Sequence, residues 1–158
     1  MKYDELRVML KESGKGYDME MIEKAYVLAE KNHAGQFRKT GEPYIEHPLS
    51  VAAILAELGM DSTSIVAAIL HDVVEDTAVT IEEVEKEFNK EVALLVDGVT
   101  KLGQIPLSTQ EEQQAENLRK MLLAMSKDIR VMIIKLCDRL HNMRTYEGWK
   151  PQKQRDKA

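Results

Sequence analysis

The sequence lacks the features that mark secreted and membrane proteins. Its single cysteine, Cys137, excludes an intrachain disulfide and is compatible with a reducing compartment, so we expect a cytoplasmic protein. The longest apolar runs, such as Val131–Leu136 with Lys135 inside it, are far too short to span a bilayer. The first stretch, Met1–Lys15, alternates in charge and has no apolar segment typical of a signal peptide.

Aromatic residues and excess positive charge are also scarce. Aromatics make up 5% of the 158 residues and methionine occurs nine times, which predicts a helix-rich protein with a core of Leu, Ile, Val, Met and Ala. The net charge of −5 does not favour nucleic acid or an anionic membrane, so we expect neither as a partner. An anionic substrate would therefore need a local basic cluster. The length fits one domain with a substantial core.

Helical patterns account for nearly the whole chain. Capping signals and apolar stripes predict helices over about 18–32, 49–58, from 61 or 62 through His71-Asp72, 81–88, 90–101, 109–125 and 128–146. The polar stretch Trp149–Ala158 is expected to be frayed. No strand, internal repeat or low-complexity segment is recognisable. The sequence therefore predicts an all-α helical bundle that forms a single domain over residues 1–158.

The most informative segment is the pair His71-Asp72, which is followed one turn later by Glu75 and Asp76. An apolar helix, Ser64–Leu70, leads directly into these four ionisable side chains. Burying such groups without partners would cost several kcal/mol, and a bound metal ion would remove that cost. The alternative is a helix end with a satisfied histidine and a solvated acidic cluster. The apolar approach makes full solvent exposure a poor expectation.

A second segment combines basic residues with a turn. Arg38 and Lys39 lie beside Gly41, and His47 opens the next helix. An arginine fork and a lysine ammonium both suit phosphate oxygens, while glycine lets a backbone approach a ligand closely. The alternative is a solvated turn with a basic pair and a capping histidine. Taken alone, this loop favours the alternative.

A third segment places polar residues inside an apolar helix. Apolar residues occupy almost every face from Ile129 to Met143, which predicts a central buried helix that carries Asp138. A buried carboxylate needs a cation or several donors. A structural salt bridge to Arg139 would explain Asp138, but it leaves the rest of the run to Arg144 unexplained.

Together the three segments offer two imidazoles and two carboxylates: His47, His71, Asp72 and Asp138. This mixed set suits a divalent ion such as Mn, Fe, Zn or Mg, and spacing does not choose among them. A bound ion would lower the pKa of water, and Glu75 and Asp76 could orient that water or shuttle protons. We therefore predict a metal-dependent phosphohydrolase. Cys137 lies within an apolar helix and is expected in the core.

Four blocks in this order resemble a known family. They are His33–Pro48, His71–Thr77, Val99–Leu102 and Lys135–Thr145, which together with their spacing are far more specific than a lone His-Asp pair. The chain resembles the HD superfamily, and within it the hydrolase domain of RelA/SpoT-type proteins and the small alarmone hydrolases. The resemblance implies an all-helical HD fold, a role in the stringent response, and Mn(II)-dependent removal of the 3′-pyrophosphate of guanosine tetra- or pentaphosphate.

The resemblance also implies roles for individual residues. The metal ligands would be His47, His71, Asp72 and Asp138, and the catalytic pair that activates water would be Glu75 and Asp76. The substrate contacts would be Arg38, Lys39, Thr40, Asn142 and Thr145. His33 occupies a family-like position, where core packing explains it equally well.

Two other functions stay open at this point. One is an HD phosphohydrolase that acts on another nucleotide, and the other is a non-catalytic module that senses a nucleotide. The intact pairs His71-Asp72 and Glu75-Asp76 favour hydrolysis, because synthetase-specialised members of the family lose them. The sequence shows no counterpart of the synthetase and regulatory domains of the long members, and we expect either a short natural form or a truncated chain. The oligomeric state is left open.

Overall fold

The computed structural model describes residues 1–103, 115–116, 118–119 and 128–157, with side chains along the last helix described as far as Thr145. The helices in this part of the chain are α1 (Tyr3–Glu12), α2 (Met19–His33), α3 (Glu46–Glu57), α4 (Ser62–Asp76), α5 (Ile81–Glu87), α6 (Lys90–Gly103) and α7 (Arg130–Lys157). Extended pairing in the described residues is limited to one isolated bridge between Phe37 and Pro43. The predicted all-α class is confirmed. None of the described helices has both the length and the apolar character needed to cross a membrane.

Helix α4 is the centre of the fold. Every residue from Ser64 to Val73 is buried, and the helix packs against α2, α3 and α6 and also touches α7. It begins where the sequence predicts, because the Asp61 side chain accepts a hydrogen bond from the backbone N–H of Ser64 and so satisfies a free donor of the first turn. This central position carries His71 and Asp72 into the protein interior.

Other helix starts divide into confirmed and wrong predictions. Asp18 and Thr80 cap α2 and α5 through their side chains, as their sequence positions predict. Helix α3, in contrast, begins at Glu46 rather than near Leu49, so Pro48 lies in its first turn. Proline is tolerated there because a first-turn N–H has no partner within the helix.

Helix α1 was not predicted, because the alternating charges of the first residues hide a narrow apolar stripe. Leu6 and Leu10 on that stripe are fully buried. The ring of Tyr3 stacks on Tyr26 of α2, with ring centroids 4.0 Å apart. The three side chains of this stripe therefore fix α1 against the bundle, where the helix packs on α3.

Helix α7 differs from the predicted central helix. One face packs against α3 and α6 and buries Val131, Ile134 and Cys137, but Leu136 and Met143 are exposed among the described residues. The apolar run led to a prediction of too much burial for α7. A helix packed on one side of the bundle needs only one apolar face. Cys137 is buried, as expected.

The end of α7 was also predicted wrongly. The helix continues to Lys157 instead of ending near Tyr146 with a frayed tail. Polarity argued for fraying, but Lys, Gln and Arg are good helix formers, so a polar stretch can remain helical. The helix predicted over 109–125 lies outside the described residues, apart from four exposed helical positions at 115–116 and 118–119.

The core consists of Leu, Ile, Val and Ala, as predicted, with Tyr3 and Cys137 at its edge. The expectation that methionine belongs to this core is wrong for the described residues. Methionines such as Met9, Met21 and Met132 are only partly buried and pack around the core. Their flexible side chains fit irregular gaps at the margin of the bundle.

Candidate active site

The four predicted ligands come from three helices and converge inside the bundle. His47 lies in the first turn of α3, His71 and Asp72 in the last two turns of α4, and Asp138 in the third turn of α7; all four are buried. His47 Nε2 lies 2.6 Å from Asp138 Oδ1 and 3.8 Å from Asp72 Oδ2. One ligand atom from each of these three residues lies within 4.8 Å of the other two.

His71 completes the set from the other side. Its Nδ1 lies 2.7 Å from the carbonyl oxygen of Ala68 and donates a hydrogen bond to it. This bond turns Nε2 toward the carboxylates, 3.2 Å from Asp72 Oδ1 and 3.6 Å from Asp138 Oδ1. Within the described part of the chain, His71 Nε2 and Asp72 Oδ2 are buried without a hydrogen-bond partner.

Unpaired buried polar atoms are costly, at roughly 1–3 kcal/mol each. A divalent ion held by His47, His71, Asp72 and Asp138 would satisfy both atoms. Imidazole nitrogen and carboxylate oxygen are donors that Mn, Fe, Zn and Mg all accept to different degrees. The residues present therefore fit a metal ion.

Electrostatics in the cluster favour positive charge at its centre. Burial lowers the pKa of His71, but Asp72 and Asp138 outweigh it and raise that pKa to about 9. Burial acts to raise the pKa of Asp138, yet the hydrogen bond with His47 and the nearby ring of His71 hold it far below its usual range. In this arrangement a proton on His71 balances the negative charge of the carboxylates, and a metal ion would compete with that proton.

The alternative explanation of Asp138, a salt bridge to Arg139, is not observed, and Arg139 is exposed. The cation beside Asp138 is Lys135, whose Nζ lies 3.3 Å from Asp138 Oδ2. Residues three apart share a helix face, whereas neighbours diverge by about 100°. Helical geometry thus explains why Lys135, and not Arg139, lies beside Asp138.

Glu75 and Asp76 lie one turn beyond His71 and Asp72, at the end of α4, and their side chains are exposed. Each carboxyl group is nevertheless partly removed from water, and this desolvation raises its pKa. The negative charge of Asp72 raises both pKa values further. Two carboxylates with raised pKa values at the entrance of the cluster are suited to exchanging protons with a bound substrate or water.

Tyr44 and His33 form the wall next to these carboxylates. Burial and the charges of Asp72 and Asp76 raise the pKa of Tyr44 well above its usual range. Its ring centroid lies 4.8 Å from that of His33 and 6.0 Å from that of His47. His33 is buried, and its Nδ1 lies 3.0 Å from Gln36 Oε1. His33 thus packs against Tyr44, and its Nε2 is buried without a hydrogen-bond partner among the described residues.

The basic loop between α2 and α3 reaches α7. Gly41 has φ +94°, which closes a tight turn in which its N–H donates to the carbonyl of Arg38. Arg38 Nη2 donates to Asn142 Oδ1 at 2.6 Å. Lys39 is exposed in the same loop. The turn thus brings one predicted substrate residue of the loop onto another in α7.

A cavity of about 590 Å³ adjoins this contact and is lined by two further predicted substrate residues, Thr40 and Thr145. His141 and Arg144 of α7 and Glu46 of α3 also line it. Thr40 and Thr145 therefore line one opening, and Arg38 lies next to it through its contact with His141 and binds Asn142. Lys39 is exposed in the same loop.

His141 is a site residue that sequence reasoning missed. Its Nδ1 lies 2.6 Å from Nδ1 of His47, and Arg38 Nη1 lies 3.5 Å away. Burial, followed by the proximity of His47 and Arg38, lowers the pKa of His141 to about 4. In the sequence, His141 lies in a polar run that gives no indication of its role. Its contact with His47 arises only because α7 packs on α3.

The fold and the cluster define a class of protein: a helical domain built around histidine and aspartate side chains that fit a divalent ion. Comparison with protein families gives the same class, because the HD domain model matches residues 25–158. The chain belongs to the HD domain family.

Two curated proteins are similar to this chain over most of its length. The chain is 56% identical over 140 residues to a GTP pyrophosphokinase from Myxococcus xanthus, an alignment that covers 87% of this chain and 18% of the relative. It is 53% identical over 129 residues to a guanosine-3′,5′-bis(diphosphate) 3′-pyrophosphohydrolase from Haemophilus influenzae, which covers 82% of this chain and 19% of the relative. The chain thus spans less than a fifth of the length of each of these curated relatives.

A solved structure matches at the level of the fold and the sequence. It is that of a metazoan ortholog of SpoT that hydrolyses ppGpp and plays a role in starvation responses. The TM-score is 0.63 at 33% sequence identity, and the match covers 80% of this chain and 70% of that chain.

Proposed function

We propose that this domain is a metal-dependent hydrolase of guanosine tetra- and pentaphosphate, which releases pyrophosphate from the 3′ position and leaves GDP or GTP. The observation that carries the proposal is the buried cluster in which His71 Nε2 and Asp72 Oδ2 face the same space as His47 and Asp138 without partners of their own. The names of the Haemophilus and metazoan relatives supply the substrate.

The proposed ligands are His47, His71, Asp72 and Asp138, with Mn(II) as the working ion. An ion held there would act as a Lewis acid, lowering the pKa of water and polarising a phosphoryl oxygen. A set of two nitrogen and two oxygen donors is compatible with Mn(II), although it would also accept Fe, Zn or Mg. The choice of Mn(II) follows the resemblance to the hydrolase family.

The substrate would bind along the opening between the basic loop and α7. Arg38 and Lys39 would neutralise phosphate oxygens, and the fork of Arg38 can contact two of them at once. Thr40, Asn142 and Thr145 would line the nucleoside. Support comes from the Arg38–Asn142 contact and from the shared cavity that Thr40 and Thr145 line.

Glu75 and Asp76 would handle protons. Water attacks the phosphorus attached to the ribose 3′-oxygen, the P–O bond to that oxygen breaks, and the 3′-oxygen takes up a proton as pyrophosphate leaves. A carboxylate with a raised pKa can accept the proton from water at neutral pH. Glu75 meets this requirement because its pKa is raised. Asp76, the neighbouring carboxylate, would be the second residue of the pair that handles protons.

A product-resolved hydrolysis assay tests the function. The protein with Mn(II) is expected to convert guanosine tetraphosphate to GDP and pyrophosphate, and Asp72→Asn is expected to abolish both ion binding and turnover. Asp97→Asn is the matched control, because Asp97 is a partly exposed carboxylate of α6 paired with Lys101. Release of free phosphate, or cleavage of other nucleotides alone, would favour a different HD phosphohydrolase, and binding without turnover would favour a sensing module.

A separate measurement addresses the ion. Elemental analysis of the purified protein, followed by removal of the ion and return of Mn(II), Fe(II), Zn(II) or Mg(II) one at a time, should give the highest turnover with Mn(II). A clear preference for another ion would replace Mn(II) in the proposal and leave the ligand set unchanged.

A further inference from the structure

His141 lies directly behind the proposed metal ligand His47. The two Nδ1 atoms are 2.6 Å apart, and the ring centroids are 4.8 Å apart with an angle of 32° between the planes. Two ring nitrogens at this distance must form a hydrogen bond in which one carries the proton and the other offers its lone pair. The surroundings of His141 decide which nitrogen is the acceptor.

The neighbours of His141 favour a lone pair on its Nδ1. Arg38 Nη1 lies 3.5 Å from this atom, and a guanidinium group can only donate. On the other side of the ring, Nε2 lies 3.5 Å from Thr145 Oγ1. The Thr145 hydroxyl donates to the carbonyl oxygen of His141 at 2.9 Å, which leaves an oxygen lone pair for an N–H at Nε2. His141 is thus surrounded as a neutral ring protonated at Nε2.

We propose that His141 is a positioning residue for His47, an inference that rests on the proposed metal site. His141 accepts a hydrogen bond from the Nδ1–H of His47 and thereby keeps Nε2 of His47 directed toward the ion. Imidazole ligands of metals usually donate their second N–H to a fixed acceptor, which sets the tautomer and the ring orientation. A histidine in this acceptor role also connects the ligand to Arg38, because the same Nδ1 faces both groups.

The test measures Mn(II) affinity by calorimetry, without reference to turnover. His141→Phe keeps a ring but removes the acceptor, and it should weaken Mn(II) binding by about 10–100-fold. His141→Asn keeps an oxygen acceptor near the Nδ1 position and should restore most of the affinity. Thermal unfolding of the ion-free variants verifies folding, and a loss of stability alone would not be rescued by asparagine in this selective way.

Comparison with Asp72→Asn separates this inference from the proposed function. If Asp72→Asn loses Mn(II) affinity while His141→Phe keeps the wild-type affinity, only the role of His141 is overturned. If neither variant loses affinity, the proposed metal site itself is wrong.

A second measurement uses the unaltered protein and so does not depend on a variant that folds. Long-range 1H–15N NMR spectra of the imidazole rings, recorded with diamagnetic Zn(II), should show His47 protonated at Nδ1 and His141 protonated at Nε2. A proton on Nδ1 of His141 would overturn the inference.

Discussion

At the scale of single residues, different surroundings shift the pKa values of identical chemical groups in opposite directions. Asp138 is buried among imidazoles that hold its pKa low, so its carboxylate is charged and available to a cation. Glu75 lies at the entrance, where desolvation raises its pKa. A carboxyl group whose pKa has moved toward neutral is better suited to proton transfer than to holding an ion. We therefore propose that Asp138 acts as an ion ligand and Glu75 as a proton carrier.

This division predicts the behaviour of Glu75→Gln. The variant should bind Mn(II) with wild-type affinity but lose turnover by about 10²–10⁴-fold, because it can no longer accept a proton. Calorimetry and the pyrophosphate-release assay give the two values. Glu82→Gln, in the exposed first turn of α5, serves as the control. Wild-type turnover in Glu75→Gln would remove this carboxylate from the mechanism.

The residues that sequence could identify are those whose signal is local. His71 and Asp72 follow the six apolar residues Ile65–Leu70, so their burial was predictable from the chain alone. Lys135 required knowledge of which α7 face meets the cluster, and His141 required the packing of α7 against α3. Such contacts depend on helix phase and on residues about 90 positions apart, as in the pair His47 and His141.

At the scale of helices, the site depends on how closely α7 approaches the bundle. A Cβ placed on Gly98 of α6 would lie 2.7 Å from Cγ2 of Val131, near the start of α7. Nearby, Arg130 forms ion pairs with Asp61 before α4 and with Glu91 of α6, at 2.7 and 2.8 Å. The first turn of α7 is therefore fixed against two other helices, and Asp138 lies two turns further along.

Gly98→Ala tests this close approach. In an exposed helix the change would stabilise by about 1 kcal/mol, but here the methyl group meets a stiff branched side chain, and overpacking costs about 1–3 kcal/mol. We expect a net loss of stability, measured by urea unfolding, together with weaker Mn(II) binding because Asp138 shifts with α7. Gly98→Ala with Val131→Ala should recover part of both losses relative to the sum of the single changes. A stabilised Gly98→Ala variant would show that α7 can move without cost.

The helix boundaries show where local rules were sufficient. Asp18, Asp61 and Thr80 mark helix starts because each side chain caps its own first turn, which is a short-range effect. The early start of α3 has no capping signal of its own and was therefore missed. Helix α1 does carry a local signal, because Tyr3, Leu6 and Leu10 recur at helical spacing and are buried, but the charged residues between them obscured it.

At the scale of the whole molecule, the candidate centre is a meeting point of segments from both halves of the chain. The loop and α3 supply Arg38 and His47, α4 supplies His71 and Asp72, and α7 supplies Asp138. The order of the blocks indicated that they belong together, but no local pattern gives the distances among them. Closing the bundle is therefore also what assembles the cluster, so ion binding and the stability of the fold should be linked.

This linkage predicts a dependence on pH. The pKa of His71 is raised from 6.5 to about 9, so in the ion-free protein its protonation contributes stability that is fully present below about pH 6.5 and is lost as the pH rises toward 9. An ion requires the neutral ring, so binding releases a proton and Mn(II) affinity should rise by up to about tenfold per pH unit across this window. At fixed Mn(II), the increase in Tm that the ion produces should therefore be larger at pH 8 than at pH 6.5, by several degrees. Differential scanning calorimetry measures the shift, and Asp72→Asn should show none at either pH. A Mn(II)-induced shift that is equal at both pH values would mean that His71 does not exchange a proton for the ion.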